Sequence, residues 1–372
     1  MKIAIIGSRG YPYVYSGYET LVKELSERLV NRGVSVTVYC HKALFLERPT
    51  EVNGIKLVYL PSIETKILSQ FVHSFLSVIH ACFTDVDVIF AVNSANGPFG
   101  IITKLFRKKT AINVDGMEWL RPKWKGLGSR YFYFASWLAT KLYDQIVNDS
   151  EEMRKTYLDL FNKDSVVIAY GANIRKSEQP GLIEKWGLTP NGYYLIVGRL
   201  IPDNNADLIV EGFHKTSSKR KLVIVGDVPY KDEYSLKIKA MADRDARLLF
   251  TGYVTNQNEL AELYHNAFAY FHGHEFGGTN PTMLKAMAYG SCILALDTRF
   301  NREMLQDDKF GLFFSKNEDS IAALILDIES MPVESQRMKY ASSKGITARY
   351  TWDHVAEQYI EVFNKLRPQR KK

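Results

Sequence analysis

The chain has few cysteines: Cys40, Cys82 and Cys292 are the only ones in 372 residues. They are far apart and odd in number, which excludes a disulfide framework and a thiolate metal site. Each reads as a small buried apolar residue in a reducing compartment. Low-complexity segments are missing too. With 46% hydrophobic and 13% aromatic residues, the composition excludes a disordered chain. The most apolar long segment, residues 67–83, is interrupted by Gln70, His73 and His80. It reads as a helix packed on a sheet, not as a membrane span. Residues Met1–Gly7 are too short for a signal peptide and read as a first buried strand, so a cytoplasmic protein is expected.

Two site signatures are lacking as well. The first loop, Gly7-Ser8-Arg9-Gly10 to Gly17, is not G-x-G-x-x-G. The second strand ends Tyr39-Cys40-His41, without the acid that a dinucleotide ribose needs, so a nicotinamide dehydrogenase is disfavoured. Asp85-Val86-Asp87 has the D-x-D form but stands at the start of a strand and reads as a loop. His272 and His274 have no evident third ligand, and no metal is expected.

What the chain has is length, alternation and positive charge. At 372 residues it is longer than one core usually grows, so two domains are expected. The net charge of +7 favours nucleic acid, an anionic membrane or a phosphorylated substrate. The basic residues are dispersed among helices without a nucleic-acid motif, which argues against nucleic acid.

The first half reads as strand Lys2–Gly7, helix Tyr18–Arg32, strands Val34–Cys40 and Ile55–Leu60, and helix 67–83. Strand Val86–Val92, helix Gly97–Phe106, strand Thr110–Val114 and a helix near Arg130–Tyr143 follow. Strand Gln145–Asn148, helix Glu151–Phe161 and strand Ser165–Ala169 complete it. After a linker within Gly171–Pro190 the second half reads as strand Tyr193–Gly198, helix Asp207–Lys215, strand Lys221–Val225 and helix Glu233–Ala242. Strand Arg247–Phe250, helix Asn258–His265, strand Phe268–His272, a helix after Pro281 and strand Cys292–Leu296 come next. Beyond Gly311 the tail reads as mostly helical. Such alternation implies right-handed crossovers and parallel sheets, so an α/β protein of two Rossmann-like doubly wound domains facing a central cleft. The domains are expected at 1–172 and 173–351, with a final helix, 352–372, packing back on the first.

The stretch from His272 to Gly290 organises the chain. A buried strand ends, Glu275 and Gly277-Gly278-Thr279 follow, and Asn280 caps a helix that opens with Pro281. A glycine turn feeding a helix N-terminus attracts phosphate. Glu275 is suited to the hydroxyls of whatever the phosphate carries, and together they point to a nucleotide-sugar. Gly17 would bring an amide to a phosphate, or merely permit a turn. Arg199, in Gly198-Arg199-Leu200, would offer its planar fork to a diphosphate, or pair with Asp203. Asp115, in Val114-Asp115-Gly116-Met117-Glu118-Trp119, would stand near an acceptor, as would Glu118 and Trp119. Lys104, Arg107, Lys108, Lys109, Arg121, Lys123, Trp124, Lys125, Arg130, Tyr131 and Phe132 would meet an anionic membrane or a lipid diphosphate.

Together these stretches resemble the family-4 retaining glycosyltransferases of the two-domain GT-B fold. Gly198-Arg199-Leu200 is similar to the family's donor-phosphate arginine motif, 272–290 to its Glu-x7-Glu region, and Tyr350–Tyr359 to its last helix. Gly7–Gly10, Tyr18-Glu19-Thr20, 114–119 and 277–281 resemble a bacterial subgroup. It includes rhamnosyltransferases of cell-wall and capsular polysaccharide synthesis. The resemblance implies metal-independent transfer of a sugar, with retention, from a nucleotide-diphospho-sugar to a lipid-linked saccharide at the inner face of the membrane. dTDP-rhamnose is the first donor expected and a UDP-hexose the second, and no cofactor is implied. Arg199, Glu275 and Asp115 would serve catalysis. Gly17, Asn204, Gly277, Gly278, Thr279, Asn280 and Lys285 would join Arg199 and Glu275 at the donor. The chain departs from the pattern in four places, the first being a Gly277-Gly278-Thr279-Asn280 segment longer than the usual spacing. Lys285 stands where the family has its second Glu, Asn204 where it has a lysine, and Asp115 where many relatives have a histidine. Lys285 and Asn204 leave open a non-catalytic nucleotide-sugar-binding subunit.

Overall fold

The computed structural model describes all residues except 14–16, 64, 66–67, 122–123, 125, 228–231, 243 and 368–372. It divides into two compact units. Unit 1 comprises Met1–Gly171, Gly277–Thr279 and Trp352–Lys372, and unit 2 comprises Ala172–Phe276 and Asn280–Thr351.

Unit 1 runs β1 (Lys2–Ile6), α1 (Gly17–Asn31), β2 (Ser35–His41), β3 (Glu51–Val52), β4 (Ile55–Leu60), α2 (Leu68–Cys82) and β5 (Val88–Val92). It continues α3 (Gly100–Leu105), β6 (Lys109–Val114), α4 (Leu127–Leu142), β7 (Gln145–Asn148), α5 (Glu151–Phe161) and β8 (Val166–Val167). The eight-stranded sheet has the order β3-β4-β2-β1-β5-β6-β7-β8. All neighbours are parallel except β3 and β4, which form a hairpin over Asn53-Gly54. Both turn residues have positive φ, the conformation that Asn-Gly favours in a tight hairpin.

The central strands are apolar on both faces, and every residue of β5 is buried. A strand buried on both faces needs helices on both. Right-handed crossovers distribute them. α1 joins strands that step one way along the sheet, while α2 to α5 join strands that step the other way. So α1 lies on one face and α2 to α5 on the other. The last helix of the chain, at Trp352–Leu366, takes the face of α1. Its Tyr359 and Phe363 rings lie 5.1 and 5.5 Å from Phe90 of β5, and its Asp353 pairs with Arg32 at 2.9 Å.

Unit 2 runs β9 (Tyr193–Val197), α6 (Ala206–His214), β10 (Lys221–Val225), α7 (Glu233–Ala242), β11 (Leu248–Gly252), α8 (Gln257–Asn266), β12 (Ala269–His272) and α9 (Pro281–Ala288). β13 (Ile293–Leu296), α10 (Arg299–Leu305), β14 (Leu312–Phe314), α11 (Glu318–Ser330) and α12 (Pro332–Arg349) follow, and α13 is the last helix already described. The parallel sheet has the order β11-β10-β9-β12-β13-β14. Ile196, Ile209, Phe213, Phe271 and Leu294 fill its core.

In each sheet the strand order reverses beside the first strand, between β1 and β5 in unit 1 and between β9 and β12 in unit 2. Open parallel sheets bind ligands at the carboxyl ends of strands at such a reversal.

Five elements differ from the sequence reading. β14 opens the tail beyond Gly311 that reads as mostly helical, and α10 lies between β13 and Gly311, where no element is assigned. The expected helix Gly97–Phe106 is a 3₁₀ turn at Ser94–Phe99 that leads into α3. Gly97 is pressed on α4 there: a Cβ on it would lie 1.9 Å from the Ala135 carbonyl oxygen. The strand Ser165–Ala169 shrinks to β8. The expected helix 352–372 runs to Leu366, and residues 368–372 lie outside the described ones.

Candidate functional site

The carboxyl edge of unit 2 is stitched from the loops after β9, β10 and β12. The Gly198 amide donates to the Val225 carbonyl at 3.0 Å. Gly226, with φ of +126°, lies so close that a Cβ on it would be 2.0 Å from the Gly198 oxygen. The Asn204 side chain donates to the Arg199 carbonyl at 2.7 Å and its oxygen meets His274 Nδ1 at 2.8 Å. Asn205 Nδ2 donates to the Gly273 carbonyl at 2.8 Å, and the Glu275 amide to that of Asp203 at 3.1 Å.

This backbone frame holds Arg199 at the reversal point with its side chain exposed. The alternative pairing with Asp203 does not occur: Asp203 is buried. Among the described residues the Arg199 guanidinium has no carboxylate partner, so its five donors are available to an anion. Asn204 stands beside it with both polar ends engaged in the frame.

Glu275 is half-buried and accepts a 2.6 Å ion pair from Lys316 Nζ. Lys316 follows β14, whose position beside β13 brings that loop to the same edge. Asn280 is the helix cap that its residue type predicts: its side-chain oxygen accepts from the Thr282 amide at 2.9 Å and the Thr282 hydroxyl at 2.7 Å. Pro281 follows at the first helical position.

His272 closes β12 beneath this frame. Burial holds its ring down to about pH 3 for protonation, so it is neutral. Among the described residues no cluster of His, Cys, Asp and Glu is placed to hold a metal ion. Asp85 and Asp87 meet Lys2, with Asp85 Oδ2 2.7 Å from its ammonium and Asp87 Oδ2 2.8 Å from its amide. That is the amino end of the sheet.

In unit 1 the corresponding edge carries Asp115, just after β6. Its carboxylate accepts from the Tyr18 hydroxyl and, at 2.7 Å, from the Tyr170 hydroxyl. Burial raises the Asp115 carboxyl above its ordinary range, opposed by the two phenols. Burial and the nearby carboxylate in turn push both tyrosines well above theirs. A carboxylate so held can orient a neutral hydroxyl but repels an anion. Gly17 is the first residue of α1, one position from Tyr18. Ser16, expected to start that helix with it, lies outside the described residues.

The other acceptor-side residues are corrected. Trp119 is a core residue: its ring lies 5.8, 6.4 and 6.1 Å from those of Tyr133, Tyr157 and Phe161. Glu118 is buried against Arg121 at 3.0 Å and accepts from Trp124 Nε1 at 2.9 Å. That pair also removes Arg121 from the expected basic surface. Phe132 is buried and Lys109 pairs with Asp144 at 3.4 Å. Lys123 and Lys125 lie outside the described residues.

Gly277–Thr279 count with unit 1, and here the phosphate-turn expectation is corrected. The Gly278 amide donates to the Asp115 carbonyl at 3.3 Å. The Thr279 amide donates to Asp149 Oδ2 at 2.8 Å, and its hydroxyl to the Asp149 carbonyl. An amide has one hydrogen, so neither is offered to a diphosphate. Gly278 is needed for close approach, since a Cβ would lie 1.9 Å from Asp149 Oδ1. Gly277 has φ of +113°, a conformation that favours glycine. The sequence reading missed Asp149. Its signal was an acid directly between β7 and α5, beside the cap Ser150, at the carboxyl edge.

Two Rossmann-like α/β units with parallel sheets make this a GT-B fold, shared with solved structures at low identity. Sucrose-phosphate synthase from Thermosynechococcus elongatus superposes with a TM-score of 0.84 at 16% identity, covering 98% of each chain. Anabaena HepE in complex with UDP does so with a TM-score of 0.79 at 16% identity, covering 98% of this chain and 100% of that one. Residues 181–345 match the glycosyl transferases group 1 family, and residues 1–173 match DUF1972, a domain of unknown function. The glycosyl transferases group 1 match thus falls within the part of the chain that forms unit 2. A Campylobacter jejuni relative is 25% identical over 165 residues, 44% of this chain and 43% of that protein. It is the N-acetylgalactosamine-N,N'-diacetylbacillosaminyl-diphospho-undecaprenol 4-alpha-N-acetylgalactosaminyltransferase. The chain spans less than two thirds of the length of the curated relatives it matches.

Proposed function

We propose that the chain is a metal-independent glycosyltransferase that uses a nucleotide-diphospho-sugar. The observation that carries this reading is Arg199. It is an exposed guanidinium with no carboxylate partner among the described residues, at the strand-order reversal of the unit that matches the glycosyl transferases group 1 family. A planar fork there suits the two phosphates of a departing diphosphate, and preorganised cations of this kind stabilise charge that develops in the transition state. Glu275 holds hydroxyls of the donor sugar and Asp115 a hydroxyl of the reacting pair. The acceptor attacks the face that the diphosphate leaves, so configuration is retained, and the leaving phosphate oxygen takes the acceptor's proton.

The acceptor is a lipid-linked saccharide of bacterial surface polysaccharide synthesis, in line with the diphospho-undecaprenol named in the Campylobacter relative. Rhamnose from dTDP-rhamnose is the first donor and a UDP-hexose the second, the latter supported by the UDP bound to Anabaena HepE. The protein works at the cytoplasmic face of an anionic membrane as a peripheral protein.

A non-catalytic nucleotide-sugar-binding subunit is the second reading. It is favoured by Lys285 and by Asn204, whose polar ends are engaged within the frame. Incubation of the purified chain with dTDP-rhamnose or UDP-glucose and a lipid-linked saccharide separates the two. Product formation or donor hydrolysis that Arg199→Ala abolishes supports the enzyme. Tight donor binding without turnover supports the subunit.

A further inference from the structure

The two faces of the unit 1 sheet differ in charge. On one face α1 and α13 bear acids in ion pairs, among them Glu24 with Arg28 and Asp353 with Arg32. On the other, α5 carries Glu151, Glu152 and Asp159 at the β8 margin, but α2, α3 and α4 contain no Asp or Glu. Their inward positions are filled by His73, Val78, Phe132, Ala135 and Ala139, all buried.

Their outward positions are apolar and cationic. On α4 the outer stripe is Leu127, Arg130, Phe134, Trp137 and Lys141, at alternating three- and four-residue steps. Leu127 is 82% exposed and Phe134 52%, and the Phe134 and Trp137 rings stack at 5.7 Å. On α3 Leu105 is 76% exposed. The helices form one surface: Phe106 after α3 meets Phe83 after α2 at 5.0 Å, and Lys104 Nζ donates to the Lys141 carbonyl of α4 at 2.7 Å. Among the described residues Lys104, Arg107, Arg130 and Lys141 meet no carboxylate.

We propose that this α2–α3–α4 face docks on an anionic lipid bilayer, giving the peripheral contact of the proposed function, on which this inference rests, a defined surface. Exposed Phe, Trp and Leu enter the headgroup–acyl boundary while the cations stay among anionic headgroups. Charge selects this occupant over a second copy of the chain. A two-fold interface pairs a patch with itself, and this patch would set cation against cation with no acid on it to compensate. Among the described residues no helix is long and apolar enough to cross a membrane, so the contact is interfacial.

The test is flotation of the full chain with phosphatidylcholine vesicles, with and without phosphatidylglycerol, in the absence of donor. The expected result is binding that requires phosphatidylglycerol and weakens with salt. Leu105→Ser with Phe134→Ser should weaken it about tenfold, as loss of buried apolar area predicts. Lys104→Gln with Arg130→Gln should remove the preference for phosphatidylglycerol. Both pairs are at the surface, so thermal midpoints should match wild type. Transfer to a water-soluble saccharide should persist in the Ser variant. Absence of transfer by the wild type, with its vesicle binding intact, would sink the proposed function and spare this face. Unchanged vesicle binding by the Ser variant would overturn the proposal, as would absent wild-type binding. So would a wild-type dimer that the Ser variant converts to monomer in sedimentation velocity.

Discussion

The two carboxyl sheet edges treat charge in opposite ways. In unit 1 the acids are answered from within: Asp115 by Tyr18 and Tyr170, Asp149 by the amide of Thr279. In unit 2 Arg199 has no carboxylate among the described residues, while Glu275 is held by Lys316. The same fold thus builds one edge that repels anions and accepts neutral hydroxyls, and another that attracts anions. On the proposed function the first serves an acceptor and the second a diphosphate.

The sharpest way to break this comparison is to remove the Arg199 guanidinium. Arg199→Ala should lower turnover by about 100-fold or more, as loss of one preorganised donor costs roughly 3 kcal/mol in the transition state. The fold should be unaffected, because the side chain is exposed. Near-normal turnover with a normal melting curve would end the assignment.

A steric substitution tests the satisfied edge. Gly278→Ala places a methyl against Asp149, and overpacking of this kind costs about 1–3 kcal/mol. A lowered thermal midpoint is expected, with partial recovery on shrinking the acid in Gly278→Ala/Asp149→Ser. A double variant no better than the single one would separate the glycine from Asp149.

Acid should act on both units through buried histidines. His73 in unit 1 and His272 in unit 2 are each held down to about 3 by burial, against roughly 6.5 in the unfolded chain. Between those values the unfolded state binds the extra proton. Stability is therefore full above pH 6.5 and falls as pH drops below it, by up to about 1.4 kcal/mol per pH unit for each histidine. Denaturant titrations from pH 7 to 4.5 should show the fall. His272→Gln should flatten it in part; an unchanged slope would mean that His272 is not its source.

The smallest effect concerns nucleotide choice. If Lys285 reaches the donor where relatives have an acid, Lys285→Glu should favour a ribose over a deoxyribose. Competition by UDP and dTDP should then shift towards UDP by a few-fold, about 1 kcal/mol for one hydroxyl contact. An unchanged ratio would take Lys285 out of nucleotide recognition.

The α/β architecture was legible because buried strands such as Val88–Val92 and Tyr193–Val197 are apolar runs between helical patterns. Arg199, Glu275 and Asp115 could be placed near strand ends for the same reason. What stayed hidden depends on distant partners. Trp119 resembles an acceptor wall until Tyr157 and Phe161 close around it. Gly278 resembles a phosphate turn until Asp149 takes the neighbouring amide of Thr279, 130 positions further along the chain than the acid. Lys316 was missed because β14, only Leu312–Phe314, is too short to show a strand period.

The margins of the two sheets have a consequence for the behaviour of the folded chain in concentrated solution. The unit 1 sheet ends in two-residue strands on both sides, β3 and β8. In unit 2 one border, β14, has three residues, and the other, β11, pairs with β10 through an irregular register. Long, flat borders template pairing with another chain, and brevity and bulging blunt them. Strand-by-strand polymerisation therefore finds little purchase on either unit.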